Sequence, residues 1–182
     1  MKSIQDEKNV LNGVKAVVFD LDGTLYDRHG LARRMVRRLW WCLPLMIFDR
    51  VAKGRPWRWI VSTRWHRRVY LPAMVDLIKK HCPRREEVIE LVQICRREGL
   101  RTAIYSDYGA VEEKLKVLNV DKNLFDVLVT APELGGLKPS GHCALQVLDR
   151  LGATPETTLF VGDRDEKDGA AARAIGAKYL IV

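Results

Sequence analysis

Five short runs of valine, isoleucine, leucine and aromatic residues recur along the chain: VKAVVFD at 14–20, LRTAIYS at 100–106, LFDVLVT at 124–130, TLFVGD at 158–163 and AKYLIV at 177–182. None keeps a strict apolar–polar alternation, so each reads as a strand covered on both faces. Segments with apolar residues three and four apart separate the later runs, and they are long enough for the helical crossovers that parallel strands need. Val88, Leu91, Val92 and Cys95, just before the second run, make a stripe of the same kind, closed at Gly99, where a left-handed cap is expected. Val111, Leu115 and Leu118 make a second, with Glu112 and Lys116 spaced for an i, i+4 ion pair. Leu145, Leu148 and Leu151 make a third, opened by Pro139 and Ser140 and stopped by Gly152, and the small residues of KDGAAARAIGA suit a helix packed close on the sheet. The predicted fold class is α/β with a mostly parallel sheet.

One connection breaks the rhythm. About eighty residues lie between the first and second strands, far more than one crossover helix uses. Within them Leu31, Met35, Leu39 and Cys42 follow helical spacing, as do Trp57, Val61, Trp65 and Val69, with Pro44, Pro56, Pro72 and Pro83 as punctuation. Residues 28–82 are therefore expected to form an inserted helical cap, and 1–27 with 83–182 the core.

Charge sharpens that division. The net charge is +8, but residues 28–72 hold eleven arginines and one lysine against the single acid Asp49, a local +11 that leaves −3 for everything else. All five tryptophans lie there too. Such a segment suits a helical bundle with solvated arginines, or a lid in which Arg33, Arg34, Arg37 and Arg38 recognise anionic substrates. It also suits a face that lies on anionic lipid. Nucleic acid is the disfavoured partner, although arginine and tryptophan can serve it.

The apolar run LWWCLPLMIF contains Pro44 and is about half as long as a membrane-spanning helix. Cys42, Cys82, Cys95 and Cys143 lack metal-ligand spacing and read as thiols. The polar, acid-containing N-terminus carries no targeting pattern, so a cytoplasmic protein is expected, peripheral to a membrane only if the basic segment binds lipid.

In an open parallel sheet, ligands bind beyond the carboxyl ends of the strands. Those ends carry Asp20 and Asp22 after the first run, Ser106 and Asp107 after the second, Lys138 within GGLKPS, and Asp163, Asp165, Glu166 and Asp168 within GDRDEKD. Clustered carboxylates with one lysine and one hydroxyl fit phosphoryl transfer assisted by a hard cation, magnesium above all. One carboxylate can attack phosphorus while a second moves protons, with Ser106 and Lys138 holding phosphate oxygens. A calcium loop starting at Asp20 would need glycine and glutamate where Leu25 and Leu31 stand, and one starting at Asp163 would need glycine at Asp168. No GxGxxG follows the first strand, and GxxxxGK[ST] is absent.

FDLDGTLYD, YSD, GGLKPS and GDRDEKDGAAARAIGA, in this order and spacing, resemble the four motifs of the haloacid dehalogenase-like hydrolase superfamily. The resemblance covers 14–27 and about 86–182. It implies a Rossmann-like five-stranded parallel sheet with the first strand central and a helical cap inserted between the first two motifs. It also implies roles: Asp20 as nucleophile and magnesium ligand, and Asp22 as general acid/base binding the metal through its main-chain carbonyl. Ser106 and Lys138 would bind phosphate with help from Thr24 and the amide of Asp107, and Asp163 and Asp168 would complete the metal site. An acid at position 22 favours phosphate chemistry over dehalogenation. The expected activity is Mg2+-dependent phosphomonoester hydrolysis of a small, anionic phosphorylated substrate. A phosphotransferase or mutase using the same nucleophile, and a binding protein acting through the basic cap, remain as alternatives.

Overall fold

A computed structural model of the chain describes residues 10–44 and 65–182. Trp57, Val61 and the end of the apolar run at Phe48 lie outside the described residues. The chain divides into two compact units, 1–27 with 84–182, and 28–83.

The first unit is built on five parallel strands: β1 (Ala16–Phe19), β2 (Arg101–Ser106), β3 (Val127–Thr130), β4 (Thr158–Gly162) and β5 (Lys178–Ile181), in the order β3-β2-β1-β4-β5. β1 is central, as the resemblance implied, and its four residues are all buried, which explains a run with no polar alternation. Phe19 is in register with Ile104 of β2 on one side and Val161 of β4 on the other. Three strands therefore end along one edge, and the residues that follow them share it.

Helices α3 (Glu86–Arg97), α4 (Val111–Val117), α5 (Gly141–Leu151) and the short α6 (Ala170–Arg173) supply the crossovers. Val88, Leu91, Val92 and Cys95 are buried on α3, and Gly99 closes it at φ 72°, a value that favours glycine. In α5 the Ser140 hydroxyl accepts from the Cys143 amide and Gly152 caps the other end with positive φ. Leu148 and Leu151 join Val18, Tyr105, Val129 and Phe160 in one apolar cluster.

Four local expectations change. Leu145 is 49% exposed, because the buried stripe of α5 is Cys143, Ala144, Val147, Leu148 and Leu151. Glu112 pairs with Lys122 at 2.7 Å rather than with Lys116. The third strand begins three residues later than its apolar run, since Asp121 accepts from the Asn123 amide and folds Lys122–Leu124 into a 3-10 turn. The small-residue helix is short, for Asp165–Gly169 winds as a single wide π turn before it.

The second unit, within its described residues, holds α1 (Leu31–Arg38), a 3-10 turn at Trp40–Cys42, and α2 (Leu71–His81), which a π turn at His66–Tyr70 leads into. Leu31, Met35, Leu39 and Cys42 are buried on one side of the first two elements. Arg38 and Asp76 link α1 to α2 at 2.8 Å. Among the described residues no helix is long and apolar enough to cross a membrane.

Candidate active site

β1 ends at Phe19, yet the ladder continues one residue further: the Asp20 amide donates to the Val161 carbonyl at 2.8 Å. The chain then turns, with the Leu25 amide donating to the Leu21 carbonyl at 3.1 Å and Gly23 at φ 109°, a conformation closed to most side-chain-bearing residues. Leu21 and Leu25 are wholly buried and anchor the turn from inside. Asp20 and Asp22 are thus two polar side chains fixed by apolar neighbours at the mouth of the sheet.

Asp20 accepts from Lys138 Nζ at 2.7 Å on one oxygen and from the Thr24 hydroxyl at 3.1 Å on the other. The same ammonium donates to Asp168 at 2.7 Å. Burial pushes the Asp20 carboxyl up to about 6; Lys138 opposes the shift, and the charges of Asp168 and Asp22 add to it. Burial works against the Lys138 ammonium, but Asp20 and Asp168 outweigh it and hold its pKa above the usual lysine value. Thr24 is wholly buried and its hydroxyl serves Asp20, so in this arrangement it orients a carboxylate.

Asp22 has a different set of partners. Lys114 Nζ meets its two oxygens at 2.6 and 2.9 Å, the Tyr26 hydroxyl donates to one at 2.5 Å and the Ser106 hydroxyl to the other at 2.8 Å. Lys114 and Tyr26 are both wholly buried. Burying a charged pair is costly unless its remaining hydrogen-bonding capacity is filled, which Tyr26 and Ser106 do on the acidic side. Ser106 also interacts with the main chain of Tyr108.

The third cluster faces Asp20. Carboxylate oxygens of Asp20, Asp163 and Asp168 all lie within 4.8 Å of one another. Three hard oxygen donors that close would repel unless neutralised, and their chemistry suits a divalent cation such as magnesium. Gly162 makes this approach feasible, because a Cβ there would collide with the Asp168 side chain. Asp168 also accepts from the Arg164 amide at 3.2 Å. Asp107 braces the lysine loop: its carboxylate accepts from the Lys138 amide at 2.9 Å and pairs with Lys167.

The eight residues to which the resemblance gives roles thus meet at one sheet edge, while Asp165 and Glu166 are exposed and Asp165 pairs with Arg173. A family model described as haloacid dehalogenase-like hydrolase matches residues 68–176, more than half of the chain. The chain belongs to the haloacid dehalogenase-like hydrolases. Pyrophosphatase PpaX of Bacillus cereus strain AH820 is 36% identical over 99 residues, covering 53% of this chain and 45% of that protein. Glyceraldehyde 3-phosphate phosphatase of Methanothermobacter thermautotrophicus is 25% identical over 194 residues, covering 93% and 85%. Among solved structures, CbbY of Rhodobacter sphaeroides in complex with phosphate superposes with a TM-score of 0.69 at 20% identity, covering 92% of this chain and 85% of that one, which establishes the shared fold.

Three residues of this haloacid dehalogenase-like hydrolase escaped the motif reading. Lys114 carried a signal, since it fills the i+3 position in the stripe Val111, Leu115, Leu118 and is buried with them. Tyr26 stands four residues after Asp22 within the first motif. Lys167 lies among the acids of GDRDEKD without matching a motif position, and it pairs with Asp107.

Proposed function

We propose that the chain is a magnesium-dependent phosphomonoester hydrolase that works through phosphorylated Asp20. An Asp20 oxygen attacks phosphorus, the bond from phosphorus to the ester oxygen breaks, and the leaving oxygen takes a proton from Asp22. In the second half, Asp22 accepts a proton from water, whose oxygen attacks the same phosphorus and releases inorganic phosphate and free Asp20. Lys138 and Ser106 hold phosphate oxygens, with the amide of Asp107 beside them. Asp163, Asp168, Asp20 and the main-chain carbonyl of Asp22 are the groups that would hold magnesium, which when bound neutralises the clustered carboxylates and the charge on the phosphoryl oxygens.

The observation that carries this reading is the convergence of Asp20, Asp163 and Asp168 with Lys138 already on two of them. Asp22 adds the argument from leaving groups: a halide departs as a stable anion, whereas an alkoxide needs a proton, so the general-acid half of its work is called for only in the phosphate reaction. Relatives named as a pyrophosphatase and a glyceraldehyde 3-phosphate phosphatase support a small phosphorylated substrate. Purified protein is expected to release phosphate from p-nitrophenyl phosphate with magnesium, to stop when the metal is chelated, and to lose turnover in Asp20→Asn. Turnover by Asp20→Asn equal to that of the parent would overturn the nucleophile. Transfer to an added sugar in place of water would identify a phosphotransferase built on the same site.

A further inference from the structure

The inserted unit carries a surface that the proposed chemistry leaves unused. Leu31, Met35, Leu39 and Cys42 are buried, so α1 and the turn after it have one side committed to their own unit. The other side presents Arg33, Arg37 and Trp40 in one row, four and three residues apart, with Arg34 and Trp41 in the next row, and all five are exposed. Trp40 is 68% and Trp41 60% exposed, and Val36 beside them is 42% exposed. Arg38 is taken by Asp76. Arg33, Arg34 and Arg37 have no ion pair among the described residues, and residues 28–44 contain no acid at all.

Adjacent exposed indoles interleaved with cations are an unusual use of free surface and mark a contact site. We propose that this face docks on an anionic phospholipid bilayer. Arginine forks match lipid phosphates bidentately, and a negatively charged membrane surface attracts each cation held near it. Indole rings settle at the headgroup level, where an apolar body and a polar N–H are both accommodated. Val36 favours the bilayer over a nucleic acid strand, because an exposed aliphatic side chain gains from the acyl boundary and offers nothing to a phosphate or a base edge. The face attaches to the membrane and does not cross it. The proposal stands apart from the phosphatase reading and involves none of that reading's residues.

The test is co-sedimentation of the full chain with phosphatidylglycerol vesicles and, separately, with phosphatidylcholine vesicles, over a range of salt. Binding to the anionic vesicles alone, weakening as salt rises, is expected. The double variant Arg33→Glu/Arg37→Glu should bind at least about tenfold more weakly, and Arg33→Lys/Arg37→Lys should stay within a few-fold of the parent. Trp40→Ser/Trp41→Ser should lose the part of binding that survives high salt. These side chains are exposed, so unchanged thermal melts will confirm that each variant is folded. Failure to sediment with phosphatidylglycerol, equal binding by the Arg→Glu variant, or tighter retention by a single-stranded oligonucleotide than by vesicles would each overturn the proposal.

Discussion

Lys114 shows how one buried side chain can set up chemistry on another. It occupies the core stripe of α4 and spends its charge on both oxygens of Asp22. Removing one partner of a buried pair leaves the other charge stranded, so Lys114→Met is expected to lower stability by about 3 kcal/mol in urea unfolding. The double variant with Asp22→Asn should cost less than the sum of the two single changes, because the stranded charge disappears with its partner. The same geometry predicts that Lys114→Met lowers kcat more than it raises KM, with Lys114→Arg restoring part of kcat. A second residue-scale prediction concerns Gly162. A methyl group there would displace Asp168, so Gly162→Ala should raise the magnesium concentration needed for half-maximal activity by about tenfold or more, while Gly13→Ala, strained by its positive φ but set before the opposite end of β1, leaves the metal response unchanged. Asp20, Asp22, Lys138 and Asp163 were legible because their types recur at strand ends in a fixed order. Lys114 was not, because a lysine between Glu113 and Leu115 reads as the solvated side of a helix unless its place in the stripe is counted.

At the level of elements, the strands were legible because burial on both faces leaves largely apolar runs without alternation, as in β1 and β4 and, past the exposed Arg101, in β2. The boundaries were less so. LFDVLVT is preceded by Asp121, whose bond to the Asn123 amide folds Lys122–Leu124 into a turn and keeps the start of the run out of the sheet, a local interaction that outcompetes apolar pattern. The stripe in α5 was misplaced for a related reason: a leucine signals the core by type, but Leu145 lies off the line set by Cys143, Val147 and Leu151. This gives a direct comparison. Leu151→Ala, at a wholly buried site, should cost about 3 kcal/mol. Leu145→Ala should change stability by no more than about 0.5 kcal/mol. Equal losses in the two variants, read from urea midpoints, would contradict the observed packing.

For the whole molecule, the sheet edge gathers side chains from every strand except β3 and β5 and from the loop that carries Lys138, so a cation bound there ties together segments far apart in sequence. Binding that is selective for the folded state stabilises it: magnesium at a hundred times its dissociation constant contributes about 2.7 kcal/mol and should raise the melting temperature by roughly 8 °C. Asp163→Asn should abolish most of that rise, whereas Asp165→Asn, whose parent side chain is exposed and engaged by Arg173, should keep it. The second unit was visible as an interruption in the spacing of strands and as a change in charge, both of which are properties of composition. Its interior was harder to foresee, since arginine and tryptophan serve a solvated bundle, a ligand or a membrane with the same letters.

The central claim is that Asp20 carries the phosphoryl group. The most direct measurement is to mix the protein with magnesium and an aryl phosphate, quench in acid within one turnover, reduce with borohydride and sequence the peptide spanning residues 14–27 by mass spectrometry. Acyl phosphates are reduced under these conditions and free carboxylates are not, so homoserine should replace Asp20 and leave Asp22 intact. Released phosphate with Asp20 unmodified throughout, or conversion at Asp22 in its place, would contradict the account.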